Sequence, residues 1–85
     1  MVGILIKTMT NQGLCIGIIK DHIIDYDDEV VSVGVIWNDC DETTECFTEY
    51  EDYETHIYHF HDKGRWWQID QNYHKFKRLL EGKCK

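Results

Sequence analysis

Histidine and cysteine are the side chains here that could do metal chemistry. His56, His59 and His61 share one short stretch, and His22, His74, Cys15, Cys40, Cys46 and Cys84 complete the inventory of potential ligands. On a strand His59 and His61 would share a face while His56 pointed the other way. Structural zinc sites pair their ligands in CxxC or HxxxH knuckles. Cys40 and Cys46 stand six apart across an expected turn and lack a second pair. The histidines are therefore read as solvated or hydrogen-bonded, and no metal or other cofactor is expected. Nucleophilic catalysis would need Ser32, the one serine, or a cysteine beside a histidine. Ser32 falls in mid-strand rather than on a strained turn, and nothing local specifies an oxyanion hole or an orienting third group. The carboxylates are too numerous to single out a catalytic pair, and no glycine-rich phosphate loop is present. A non-enzyme is expected.

Recognition chemistry is better supplied. Trp37, Phe47, Tyr50, Tyr53 and Tyr58 lie near expected strand ends, beside Glu49, Glu51, Asp52 and Glu54. Aromatic faces ringed by carboxylates can hold a Lys or Arg of a partner. The alternative is that Trp37 and Phe47 fill the core while the tyrosines cover its rim. Trp66 and Trp67 are adjacent, so on a strand one faces the core and the other cannot. An outward Trp anchors interfaces unless the following helix folds back over it. Asp25, Asp27, Asp28 and Glu29 form an acid run that could imitate phosphates before a nucleic-acid-binding protein, or simply keep a small apolar-rich domain soluble. The partner-binding candidates are thus Trp66, Trp67, Tyr50, Tyr53, Asp25, Asp27, Asp28 and Glu29.

The elements that must position these residues are mostly strands. Ten isoleucines and five valines stand against four leucines and no alanine or proline, a composition suited to a pleated, half-buried surface and not to a helical bundle. Eighty-five residues make one small domain with a thin core. Strands are expected over 2–8, 14–20, 30–37, 43–48 and 55–61, with a sixth over 65–69. Val31, Val33, Val35 and Trp37 give the clearest alternation. Gly17 inside the second strand suggests a bulge or sharp bend. Residues 21–29 read as an acidic connection and 49–54 as a turn. From Asp70, a candidate cap, the period changes: Tyr73, Phe76 and Leu80 fit a helix that Gly82 would stop.

The net charge of −7 divides unevenly. Residues 1–61 carry two bases and thirteen acids, a net of −11; residues 62–85 carry seven bases and three acids, a net of +4. Direct nucleic-acid binding by so acidic a body is not expected. The opening Met1–Ile6 meets a charge at Lys7 too early for a secretory leader, and no stretch approaches the ~18–20 apolar residues of a membrane span. Free thiols in a reducing cytosol are expected.

The order of these elements resembles a known group. A short first strand, "GLCIGI" (Gly13 to Ile18), an acidic loop, "VSVGVIWND" (Val31 to Asp39), a charged strand and "YEDYETHIY" (Tyr50 to Tyr58) are similar to the small SH3-like barrels of tailed bacteriophages. The resemblance covers about residues 1–60 and rests on the order of the motifs. It implies a five-stranded SH3-like β-barrel over residues 1–61, here extended over 62–85 by a strand and an amphipathic helix packed on the barrel or projecting from it. It implies a phage origin but no activity. The expected function is a non-catalytic protein-interaction module, a virion or assembly component bound to a larger structural protein. The alternative is an acidic, DNA-mimic-like inhibitor of a host nucleic-acid-binding protein. Either setting places the chain in the host cytoplasm or the virion, with a protein partner, no membrane and no oligomeric state specified.

Overall fold

The computed structural model describes residues 2–48 and 57–83. Six antiparallel strands form one sheet: β1 (Leu5–Thr10), β2 (Gly13–Asp25), β3 (Val30–Trp37), β4 (Glu42–Thr48), β5 (Tyr58–Asp62) and β6 (Arg65–Gln68), in the order β4-β3-β2-β1-β5-β6. A 3-10 turn (Asp70–Asn72) leads into a single helix, α1 (Tyr73–Lys83). The protein is mainly β. The sheet is open: among the described residues no backbone pairing joins β4 to β5 or β6.

One face of the sheet forms the core. Ile4 and Ile6, then Ile19, then Val31, Val33, Val35 and Trp37, with Phe47 and Phe60, are buried at alternate strand positions, the period-two pattern of a sheet wet on its other side. Tyr73, Phe76 and Leu80 close this face from above, all three buried. Phe76 meets Phe60 with ring centroids 5.0 Å apart and Phe47 at 5.8 Å. The helix therefore docks on the sheet, and Trp67 and Leu79 pack against the same core as the strands. The expected boundary after residue 61 falls inside a continuous sheet, because β5 runs to Asp62 and pairs with β6.

Several local expectations change. The acidic connection begins later, because β2 continues through Asp25, pairing Ile24 with Val31 and Asp25 with Val30. A register shift between Ile19 and Asp21 makes this continuation possible. The extra residue reverses which positions face inward, so Ile24 turns to the core while Ile23 is left 73% exposed. The bulge is thus at Lys20 and not at Gly17. Gly17 is needed for a different reason: a Cβ there would lie 2.6 Å from Val35 Cγ1 and 2.9 Å from the Trp37 ring. Asp70 opens the 3-10 turn, whose start has no side-chain cap hydrogen bond, and the helix continues past Gly82 to Lys83.

Side chains hold the curl that backbone pairing does not complete. Trp37 Nε1 donates to Thr43 Oγ1 (2.7 Å), Thr43 Oγ1 donates to Glu45 Oε1 (2.8 Å), and Tyr58 Oη donates to Glu45 Oε2 (3.0 Å). The chain of bonds crosses from β3 through β4 to β5, beside a Phe47–Tyr58 edge contact at 5.2 Å. Burial and the neighbouring Glu45 carboxylate raise the Tyr58 phenol far above its ordinary value, so it stays a donor at every physiological pH. Glu45→Ala, which removes the acceptor of two bonds, is expected to cost about 1–3 kcal/mol, and Glu45→Gln less. Urea unfolding measures this; an unchanged midpoint for Glu45→Ala would mean that apolar contact alone holds β4 against β5.

Candidate functional site

The second face of the sheet carries the surface best suited to recognition. Strand pairing sets Leu5 beside Ile18, Lys7 beside Ile16 and Met9 beside Leu14. On the other side of β1, Lys7 pairs with His59, and His61 pairs with Trp66. Leu5, Met9 and Leu14 are 40%, 61% and 49% exposed. The chain has sixteen carboxylates against nine Lys and Arg, yet no carboxylate occupies these outward positions of β1, β5, β6 and the first half of β2 among the described residues. Acids return farther along, at Asp21 and Asp25 on β2 and at Glu42 on β4, where Lys20 holds Glu42 at 2.9 Å, and Asp70, just past β6, lies near enough to act on His59.

Lys7 is the central charge of this face. Its Nζ lies 4.4 Å from the centre of the Trp66 ring, within reach of the negative aromatic face. His61 meets Trp66 edge-on at 5.1 Å. Burial, reinforced by Lys7 and opposed by the Asp70 carboxylate, lowers the pKa of His59 below its ordinary value. Lys7 makes no ion pair among the described residues.

The two tryptophans part as adjacent strand residues must. Trp67 turns inward against the core; its Nε1 donates to the Asp62 carbonyl at 3.0 Å, and Arg65 and Lys75 flank its ring at 3.9 and 4.5 Å. Trp67 is thus half-buried, with its indole N–H and both flanks of its ring met by its own chain. Trp66 lies on the outer face, half-buried, and remains the anchor candidate. Tyr50 and Tyr53, with His56 and Cys84, lie outside the described residues.

The acid run begins at Asp25, the last residue of β2, and continues through the turn that follows. Asp25, Asp27, Asp28 and Glu29 are all exposed, and Asp25 Oδ1 accepts from the Asp27 and Asp28 amides at 3.0 and 3.2 Å. The turn is tied to the helix, since Tyr26 Oη donates to Glu81 (2.9 Å) and Tyr73 Oη donates to the Glu29 carbonyl (2.8 Å). The acid run lies at the far end of β2, beyond the stretch Gly13–Ile18 that pairs with β1.

A third feature is basic. A cleft of about 390 Å³ between the β5–β6 turn and α1 is lined by Asp62, Lys63, Lys75, Arg78 and Leu79. Part of its charge is neutralised, because Lys75 pairs with Asp62 at 3.3 Å.

His59 and His61 do share a face, but among the described residues no three His, Cys, Asp or Glu side chains gather closely enough to hold a metal ion. Ser32 Oγ sits 3.4 Å from Cys46 Sγ, and Cys15, Cys40 and Cys46 are free thiols. No helix among the described residues is long and apolar enough to cross a membrane.

Sequence reading missed Lys7, Met9, Leu14, His59 and His61 as parts of one surface. A signal existed in β2, where Leu14, Ile16 and Ile18 alternate with Cys15, Gly17 and Ile19. A strand apolar on both sides has something to cover on both sides.

In comparison with known proteins, no family model, no curated protein and no solved structure matches this chain.

Proposed function

We propose that this chain is a non-catalytic protein-interaction module, a curled SH3-like β-unit extended by β6 and α1. In this reading it is a bacteriophage virion or assembly component seated on a larger structural protein. The observation that carries the interaction reading is the outer face of β1 and the first half of β2, apolar at Leu5, Met9, Leu14, Ile16 and Ile18, without a carboxylate at its outward positions and bordered by Trp66. Exposed aliphatic side chains grouped with a Trp mark an interaction surface rather than ordinary solvated sheet. The SH3-like reading is supported by the contiguous order β4-β3-β2-β1-β5 and by the contacts of Phe47 and Glu45 with Tyr58, which bring the first and fifth strands of that order together. The phage setting rests on the resemblance of the motif order.

A second reading, the acidic inhibitor of a host nucleic-acid-binding protein, is favoured by one observation: Asp25, Asp27, Asp28 and Glu29 all stand exposed at the end of β2 and the turn that follows it. Salt separates the two. Apolar burial is insensitive to ionic strength, whereas charge contacts at a surface weaken as screening shortens to about 8 Å at physiological salt. The tagged chain is incubated with nuclease-treated lysates of infected and uninfected host cells, washed in low and high salt, and the retained proteins are identified by mass spectrometry. The expected result is a capsid, neck or tail protein found only after infection, resistant to high salt and lost with Trp66→Ala. A salt-sensitive host nuclease or polymerase from both lysates, lost on neutralising the four acids, would replace the first reading with the second.

A further inference from the structure

Resting on the interaction-module reading, we propose that the outer face of β1 and β2, bordered by Trp66, docks an apolar segment of a different protein that carries a carboxylate opposite Lys7.

The argument turns on what covering this face does to Lys7. Its ammonium group stands on an apolar surface with the Trp66 ring 4.4 Å away and no acidic partner among the described residues. In the free protein water completes its solvation. A purely apolar partner laid over Met9, Leu14 and Leu5 would remove that water and leave a buried, unpaired cation, which is costly. A carboxylate on the partner converts this cost into a charge-assisted hydrogen bond.

The same feature argues against a second copy of this chain as the occupant. A two-fold interface presents one patch to itself. Two copies stacked by this face would bring Lys7 ammonium groups into one apolar interface whose nearby acid, exposed Asp70 beside His59, stands past the end of β6 and outside the outward positions of β1, β5, β6 and the first half of β2. Charge complementarity therefore selects a partner that supplies the acid.

The test uses a displayed library of random twelve-residue peptides, panned at neutral pH on the full chain and on its Met9→Lys, Lys7→Glu and Asp27→Lys variants, each first shown by circular dichroism to be folded. The expected peptides combine several apolar residues with one Asp or Glu. Their synthetic versions should bind Met9→Lys at least about tenfold more weakly, the scale set by placing a charge in an apolar contact. On Lys7→Glu they should lose about tenfold, and the same peptide with its acid replaced by Lys should recover binding. Asp27→Lys, on the separate acidic turn, should change nothing. Peptides indifferent to Met9 and Lys7, selected peptides without an acid, or no enriched peptide at all would overturn the docking proposal while leaving the interaction-module reading intact. That reading falls separately, when lysate from infected cells yields no retained partner. Sedimentation equilibrium adds a further arm: a dimer that Met9→Lys makes monomeric would overturn the choice of occupant.

Discussion

Replacing Phe76 by alanine is expected to destabilise the chain by about 3–5 kcal/mol, among the largest effects of any single substitution here. Phe76 is fully buried where α1 meets the sheet, 5.0 Å from Phe60 on β5 and 5.8 Å from Phe47 on β4. It thus fills the gap between two strands that the backbone does not pair. Its removal leaves a cavity bounded by two aromatic rings and weakens the helix that covers this face. A domain of this length has in all about 4–13 kcal/mol to lose, so the variant should melt at least about 15 °C lower. Phe76→Leu, with a smaller loss, keeps the comparison readable if the alanine variant does not fold. Arg78→Ala, at an exposed position of the same helix, should change little. A Phe76→Ala midpoint within about 0.5 kcal/mol of the parent, the range of an ordinary surface substitution, would mean that the helix does not cover the sheet in solution.

Gly17→Ala is the second large effect, and it arises from crowding rather than from a cavity. Gly17 pairs with Trp37 across β2 and β3. Its added Cβ would meet Val35 Cγ1 at 2.6 Å, the Ile36 carbonyl at 2.8 Å and the Trp37 ring at 2.9 Å. One of these contacts is backbone, so a rotamer change cannot relieve them all. The expected cost is about 1–3 kcal/mol for alanine and more for valine. Gly82 offers the contrast. Nothing lies within 4 Å of a Cβ there, and it sits in the last turn of a helix, so Gly82→Ala should be neutral or stabilising by up to about 1 kcal/mol. Thermal and urea unfolding of both variants would decide the point. Equal effects at the two glycines would refute the crowding argument.

These cases show what could be read from the residues alone. The alternation of Val31, Val33, Val35 and Trp37 places β3 over Val30–Trp37, where the structure has it. The spacing of Tyr73, Phe76 and Leu80 gives the buried stripe of α1, since both signals are local and period alone decides them. The second half of β2 was hidden because its polar residues (Asp21, His22, Asp25) suggested a loop, and the extra residue near Lys20 reversed the alternation that would have shown a strand. Gly17 was misread for a related reason: its neighbour in space is Trp37, twenty positions away. The recognition surface was the least legible. Leu5, Lys7, Met9, Leu14, His59 and Trp66 belong to four strands, and only the register of the sheet sets them side by side. The acid run, contiguous in the chain, was visible at once.

The strand order also carries a consequence for how the protein is made. Strands β1 to β4 follow one another as hairpins, each pairing with the strand just before it, so a meander can assemble as soon as those residues have left the ribosome. Its inner face stays bare at that stage. Ile6 must wait for Phe60, its partner across β1 and β5, and Phe47 must wait for Phe76. Both partners emerge later, after β4 has left the ribosome. Until then the nascent chain presents a partly built sheet with an unpaired β1 edge and an uncovered row of valines, the kind of intermediate that chaperones bind and that aggregates when they do not. The final third of the chain acts as the lock on a structure whose frame is already standing.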